Sequence, residues 1–195
     1  MDIGRLIVII IGAILVNNFV LTRFLGICPF LGVSKDTDSA IGMGLAVIFV
    51  MTLASGVSFI IEIYVLKLFK IEFLRTMTFI LVIATLVQMI EPVILKTSPI
   101  LYKALGIYLP LITTNCTVLG VALLNSDKNY SFIESMVHGF AGGVGFTLAL
   151  ILMSCIRYRF HFSKIPKPFQ GIPIAFITSG IMAMGFIGFA GLIIQ

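Results

Sequence analysis

The sequence predicts an all-α integral membrane protein of six transmembrane helices, arranged as two inverted three-helix repeats in one membrane domain. Three observations lead there. Of 195 residues, 59% are hydrophobic and only 11% charged, with a mean hydropathy of +1.18, whereas a soluble domain carries about 25% charge. The remaining charges punctuate long uncharged runs. A set of short matches also recurs in the second half of the chain in the order of the first. The composition excludes an ordinary water-soluble enzyme and a disordered chain. Three cysteines are too few for a disulfide scaffold. The net charge of +5 comes from Lys and Arg scattered between apolar runs, a topology signal rather than a nucleic-acid-binding face.

The uncharged runs are Leu6 to Thr22, Ser39 to Ile61, Thr76 to Ile90 with an extension to Leu95, Ala104 to Ser126, Ser135 to Ile156, and Pro168 to the end. A span needs about 20 apolar residues to cross a core of roughly 30 Å, and none of these runs alternates with period 2 as a barrel strand would. No cleaved signal peptide is expected: Asp2 opposes Arg5, and the first run ends in Asn17-Asn18 and Arg23 rather than in small residues. Six crossings place both termini on one side. The loops on the other side hold Arg23, Lys35, Lys96, Lys103, Arg157, Arg159, Lys164 and Lys167, against Arg5, Lys67, Lys70, Arg75 and Lys128 on the terminal side. The positive-inside rule then puts both termini outside.

The internal matches define the repeat. Cys28-Pro29-Phe30-Leu31-Gly32-Val33 corresponds to Cys116-Thr117-Val118-Leu119-Gly120-Val121 at an offset of 88 residues. Gly44, Ala46 and Thr52-Leu53-Ala54 correspond to Gly139, Ala141 and Thr147-Leu148-Ala149 at 95, and Phe79-Ile80 to Phe176-Ile177 at 97. The halves are about 1–97 and 98–195. Three spans per half is odd, so the second half enters the membrane from the opposite side. Such repeats place sites near the midplane, at broken helices. The first and fourth segments carry the breaking residues: Asn17, Asn18, Arg23, Gly26, Pro29 and Gly32 in one, Gly106, Pro110, Thr113-Thr114-Asn115, Cys116 and Gly120 in the other. Both interruptions are expected near the midplane, where only protein or a cavity can satisfy the backbone.

Cysteine is a soft ligand suited to Fe–S, Zn or Cu(I). Pseudo-symmetry brings Cys28 and Cys116 together; Cys155 has no repeat mate and reads as a small apolar residue. Two thiolates cannot hold a [2Fe–2S] cluster, which needs four ligands, so a cluster here requires two from another chain. Three readings stay open at this point. One is a metal site at Cys28 and Cys116. Another is a secondary transporter binding substrate at Asn17, Asn18, Thr113 and Asn115, with Thr114 beside them as a supporting residue. The third is a membrane thiol–disulfide enzyme using the two cysteines as a redox pair. No P-loop, G-x-G-x-x-G or G-x-S-x-G is present, and no catalytic residue is assigned. Gly142, Gly143 and Gly145 read as packing residues, and His138 as a buried, hydrogen-bonded side chain. Glu62 and Glu91 flank spans, Glu91 before Pro92 marking a helix end; as intramembrane acids both are candidates for an ion path.

Four stretches carry a family resemblance: Val16-Asn17-Asn18-Phe19-Val20-Leu21, Phe24 to Lys35 with its Gly26-Ile27-Cys28-Pro29 core, Leu109-Pro110-Leu111-Ile112-Thr113-Thr114-Asn115-Cys116, and Leu119 to Asn125. Lys96-Thr97-Ser98-Pro99 and Gly188-Phe189-Ala190-Gly191-Leu192 extend it over essentially the whole chain. It resembles the family of membrane subunits found in the Rnf complex and in the sodium-translocating NADH:quinone reductase. The resemblance implies a subunit of a translocase that couples electron transfer, between ferredoxin and NAD in Rnf, to Na⁺ or H⁺ transport across a prokaryotic cytoplasmic (inner) membrane. It implies a [2Fe–2S] cluster shared with a homologous partner of opposite topology, the E subunit of Rnf, with Cys28 and Cys116 as this chain's two iron ligands. Further Rnf subunits would carry the flavin and nicotinamide sites, so the isolated chain should have no NADH activity.

The orientation is directly testable. A cytoplasm-dependent reporter fused at Gln195 should be inactive, and reversing the charge of the Arg157–Lys167 loop should disturb insertion more than any change at Arg5. An active cytoplasmic reporter would overturn the termini-outside arrangement.

Overall fold

The computed structural model describes residues 3–68, 72–97, 109–160, 162 and 166–189. Among them every regular element is helical. Lys70, Gly106, Lys103, His161, Lys164, Ser98-Pro99, the stretch 104–108 and the closing residues 190–195 lie outside the described residues.

Where the sequence runs longest without charge it forms its longest helices. Helix α1 spans Ile3–Ile11 and runs into a π-helical turn, Gly12–Val16; α2 spans Ile27–Val33. Helix α3 is Thr37–Ile61, prolonged as a π-helix through Glu62–Lys67. A 3₁₀ turn, Glu72–Leu74, leads into α4, Arg75–Thr97. Then come α5 at Leu109–Thr113, α6 at Cys116–Asp127, and α7 at Phe132–Phe160. A second 3₁₀ turn, Lys167–Phe169, precedes α8, Ile172–Ile187, which has Pro173 in its first turn, where a missing N–H costs nothing.

Among the described residues the contact between α3 and α7 is the most extensive. The two helices are antiparallel. Thr37 and Ser154 hydroxyls meet at 3.1 Å at one end, and Gly56 lies against Phe132 and Met136 at the other. In lipid no hydrophobic force drives helices together, so close backbone approach has to supply the dispersion energy. Glycines provide it. A Cβ on Gly143 would sit 2.7 Å from Ile48 Cα, one on Gly139 would sit 2.9 Å from the Met51 carbonyl oxygen, and one on Gly44 would run into Thr147. Met43, Val47, Met51 and Ala54 of α3 and Phe146, Ala149, Leu150 and Met153 of α7 form the buried centre.

α1 lies alongside α7 in the same direction. Arg5 pairs with Glu134 at 3.3 Å, and Gly145 packs on the backbone of Ala13 and Ile14. α4 packs against α3, α5 and α6, burying Phe79, Ile83 and Val87.

Two helices, Thr37–Lys67 with 31 residues and Phe132–Phe160 with 29, are by themselves long and apolar enough to cross a membrane. Gly4–Val16, Arg75–Met89 and Ile172–Ile187 are shorter apolar helices. The shortfall in the first and fourth runs has a structural cause, since both are broken into two helices. α8, at 16 residues, reaches only about 24 Å at 1.5 Å per residue. The Glu91-Pro92 pair does not end its helix, as the sequence had suggested: α4 passes through Pro92 to Thr97. Membrane helices accept an internal proline when neighbouring groups satisfy the freed backbone.

Substituting Gly143 by Ala should destabilise the purified protein by about 1–3 kcal/mol through overpacking, because backbone, not a flexible side-chain tip, blocks the new methyl. Gly56→Ala should be neutral, its Cβ meeting the nearest Met136 atom at 3.6 Å. Thermal unfolding midpoints in detergent check the contrast; equal midpoints would show that α3 and α7 do not pack this closely.

Candidate functional site: two facing chain breaks

At Asn17 the first segment stops being helical, and one side chain organises the turn beyond it. Asn18 is fully buried. Its amide nitrogen donates to the carbonyls of Gly145, at 2.8 Å, and of Ile14, at 3.2 Å. Its Oδ1 accepts from the backbone N–H groups of Val20, at 3.1 Å, and Leu21, at 3.4 Å. The Thr22 hydroxyl donates to the Asn18 carbonyl at 2.7 Å, and the Leu25 N–H to that of Phe19 at 2.9 Å. Phe24 and Gly26 adopt positive φ, +55° and +76°. The chain turns sharply there and enters α2, which carries the exposed Cys28 as its second residue.

The second break falls at Thr114 and Asn115. Asn115 is extended and caps α6, its Oδ1 accepting from the Thr117 N–H at 3.0 Å. Cys116 is the first residue of α6 and is exposed.

The breaks touch. The Gly26 N–H donates to Cys116 Sγ at 2.9 Å, placing the second thiol two residues from Cys28 along the chain. Only glycine fits at that point. A Cβ on Gly26 would sit 2.9 Å from Phe146, 3.0 Å from Asn115 Oδ1, and would collide with Thr117 Oγ1; the left-handed φ independently favours glycine. Gly120 makes room for Leu25, whose Cδ1 would otherwise be 2.6 Å from a new methyl. Two buried polar atoms flank Cys116 without a hydrogen-bond partner, Asn115 Nδ2 and Thr117 Oγ1.

The expected site residues thus part company. Cys116 meets the backbone two residues before Cys28, through the Gly26 N–H. Cys155, also exposed, follows Ser154 at the far end of α7. Asn18 and Asn115 hold the breaks, whereas Asn17 is exposed and lines a separate cavity of about 140 Å³ with Arg23, Lys128 and His138. Thr113 is half-buried and Thr114 exposed. Arg23 needs a correction: counted with the odd loops, it shares a cavity with Lys128 of the terminal side, because the break turns the chain back. That narrows the cation bias behind the orientation.

Sequence reading missed two features. Arg157 clamps the end of α2, donating from Nη1 to the Leu31 carbonyl at 2.7 Å and to the Ser34 hydroxyl at 2.8 Å; nothing local signals a contact across more than 120 residues. His138 is buried as expected, but its partner was not legible. Its Nδ1 lies 2.6 Å from Asn125 Oδ1, with Phe19 and Tyr130 rings edge-on at 5.7 and 5.5 Å.

Among the described residues, no group of three or more His, Cys, Asp or Glu side chains converges to hold a metal ion. An apolar chain whose regular elements are all helical among its described residues, with free thiols on two facing helix breaks, defines a class of protein: a helical membrane protein. The chain belongs to the Rnf-Nqr family, whose model, described as Rnf-Nqr subunit, membrane protein, matches residues 6–193. It is 58% identical to the A subunit of the ion-translocating oxidoreductase complex of Vibrio cholerae, over 95% of this chain and 96% of that one. The same subunits of Aliivibrio salmonicida and Syntrophotalea carbinolica are 60% and 56% identical, covering 95% and 97% of this chain and 96% and 98% of theirs.

Asn18→Ala should leave the Val20 and Leu21 N–H groups without their acceptor, at about 1–3 kcal/mol for each buried group, and cut the tie to the Gly145 carbonyl. Asn17→Ala should change little. The comparison is read from thermal unfolding in detergent, and a stable Asn18→Ala variant would show that the break does not depend on that amide.

Proposed function

We propose that this chain is the A subunit of an Rnf-type ion-translocating oxidoreductase complex of the prokaryotic inner membrane, passing electrons from ferredoxin towards NAD while Na⁺ or H⁺ is moved. In this reading Cys28 and Cys116 are two of four thiolate ligands to an intramembrane [2Fe–2S] cluster, and a homologous partner of opposite topology, the E subunit of the complex, gives the other two. One observation supports the reading: the Gly26 N–H on Cys116 Sγ, which joins the break carrying Cys116 to the chain two residues before Cys28.

The residues present fit such a group. The donors are soft thiols, as iron–sulfur chemistry requires, and both are exposed, so a second chain can reach them. The unpartnered Asn115 Nδ2 and Thr117 Oγ1 are donors of the kind that stabilises anionic sulfur, and glycine at position 26 lets the first break approach them closely. A [2Fe–2S] centre supplies one-electron transfer. The chain's own contribution is positional. Asn18 and Asn115 fix the breaks, Gly26 donates to one thiol, and Arg157 anchors the helix that carries the other.

Two inverted three-helix repeats are part of the same proposal. α3 and α7 hold equivalent places in the two halves and run antiparallel, as inversion demands. Their matched glycines support it: Gly44 faces Thr147, and Gly139 faces the turn formed by Met51 and Ser55 around Thr52. Paired contacts also sort into two ends. Arg5–Glu134 and Arg75–Asp127 lie at one, and Thr37–Ser154 and the Arg157 clamp at the other.

Replacing Cys28 or Cys116 by Ser should abolish the cluster's visible absorption and electron flow in the assembled complex, because a neutral hydroxyl is a poor thiolate substitute. Cys155→Ser should preserve both. Expressed alone, the chain should bind no stable cluster; co-expression with its inverted homologue should restore iron and acid-labile sulfide. An intact Cys116→Ser complex with undiminished cluster absorption would overturn the assignment, and a dominant loss at Cys155 would move the ligand there.

A further inference from the structure

Glu62 has no part in the site at the chain breaks, yet the fold encloses it. It opens the π-helix that ends the α3 segment and is 6% exposed. A buried acid is costly to keep unless it is paired and hydrogen-bonded, which makes it a functional candidate. Its Oε1 accepts a hydrogen bond from the Ser126 hydroxyl of α6 and lies 3.6 Å from Arg75 Nη2 at the start of α4. The same guanidinium donates through Nη1 to Asp127 at 3.0 Å, while its Nε is buried without a partner. Arg75 is therefore divided between two carboxylates and fully satisfied by neither. Glu62, Asn125, Ser126, Asn129 and Tyr130 line a cavity of about 220 Å³ together with Lys67.

We propose that this cavity is a low-affinity Na⁺ site, with the Glu62 carboxylate as its charged ligand and Arg75 as a competing cation built into the fold. The proposal rests on reading the chain as part of an ion-translocating complex. Carboxylate, hydroxyl and amide oxygens are hard ligands suited to a hard cation. The volume holds an ion with several waters at about 30 Å³ each, space that a proton does not need. The surrounding charges nearly cancel. Glu62 and Asp127 oppose Arg75 and Lys67, Lys128 sits over the Tyr130 ring at 5.5 Å, and His138 stands behind Asn125. Entry of Na⁺ releases Arg75 wholly to Asp127, and its return expels the ion. A site that must also release its ion needs this kind of weak binding.

The test uses the whole purified complex in proteoliposomes, with uptake of radiolabelled Na⁺ during electron transfer measured against Na⁺ concentration. Glu62→Gln should raise the half-saturating concentration by on the order of tenfold or more, and Glu62→Asp should stay close to the parent. Arg75→Gln should lower it by on the order of tenfold, since an opposite charge within about 4–6 Å weights a carboxylate's occupancy by at least that factor. A purely structural Glu62–Arg75 pair would instead impair both variants in the same direction. That result, or unchanged Na⁺ dependence in Glu62→Gln, overturns the site; should Glu62→Gln fail to assemble, Arg75→Gln decides by the sign of its shift. A parent complex that moves protons and no Na⁺ overturns the Na⁺ site and leaves the translocase reading standing. A parent complex that couples to neither ion overturns that reading itself.

Discussion

Backbone that leaves a helix in apolar surroundings must find its hydrogen bonds inside the protein, at a cost of several kcal/mol for each group left bare. The rest of the structure depends on how this chain meets that constraint twice. In the first break Asn18 takes four bonds, two as donor and two as acceptor, and one of them reaches the Gly145 carbonyl on α7. In the second, Asn115 caps the helix it precedes. The breaks then serve each other, the Gly26 N–H of one meeting the Cys116 sulfur of the other. A side chain at position 26 would separate them, so the geometry of the thiols follows from a glycine that bears no chemistry of its own.

The α3–α7 pair is the frame against which the breaks are held. Its glycines bring two long helices close enough for backbone contact, and a close-packed interface transmits position rather than absorbing it. Asn18 hangs on that frame through Gly145, and α2 hangs on it through Arg157. The polar groups are spread unevenly over the frame. One end gathers Arg5 with Glu134, Glu62 with Arg75, and Asn125 with His138, while the thiols stand apart from this cluster at the breaks. Under the proposed reading, electron and ion would be handled at separate places joined by the same rigid pair, so that displacement at either place is felt at the other.

Much of this was legible beforehand because it is written in local composition. Apolar runs give helices wherever the backbone must bond to itself, and Asn-Asn, Gly and Thr-Thr-Asn mark where it does not. The matched C-x-x-L-G-V hexapeptides point to Cys28 and Cys116 rather than Cys155, and both fall just beyond the two breaks. Burial of His138 followed from its apolar neighbours.

What composition could not carry was every choice between two locally equal options. Asn17 and Asn18 are the same residue in the same run, and only the α7 backbone beside them decides that Asn18 is buried and bonded while Asn17 faces a cavity. Arg23 reads as a loop cation until the turn at Gly26 folds it towards Lys128. Glu62 and Glu91 look alike as acids at the ends of apolar runs, yet Glu62 finds Ser126 and Arg75 across three helices. The sequence by itself determined where the described chain is helical and where its first and fourth runs break, since these depend on residues a few positions apart. Tertiary structure alone decided which polar groups meet, because hydrogen bonds act over about 3 Å and partners more than 100 residues apart in sequence come within that reach only when the helices pack.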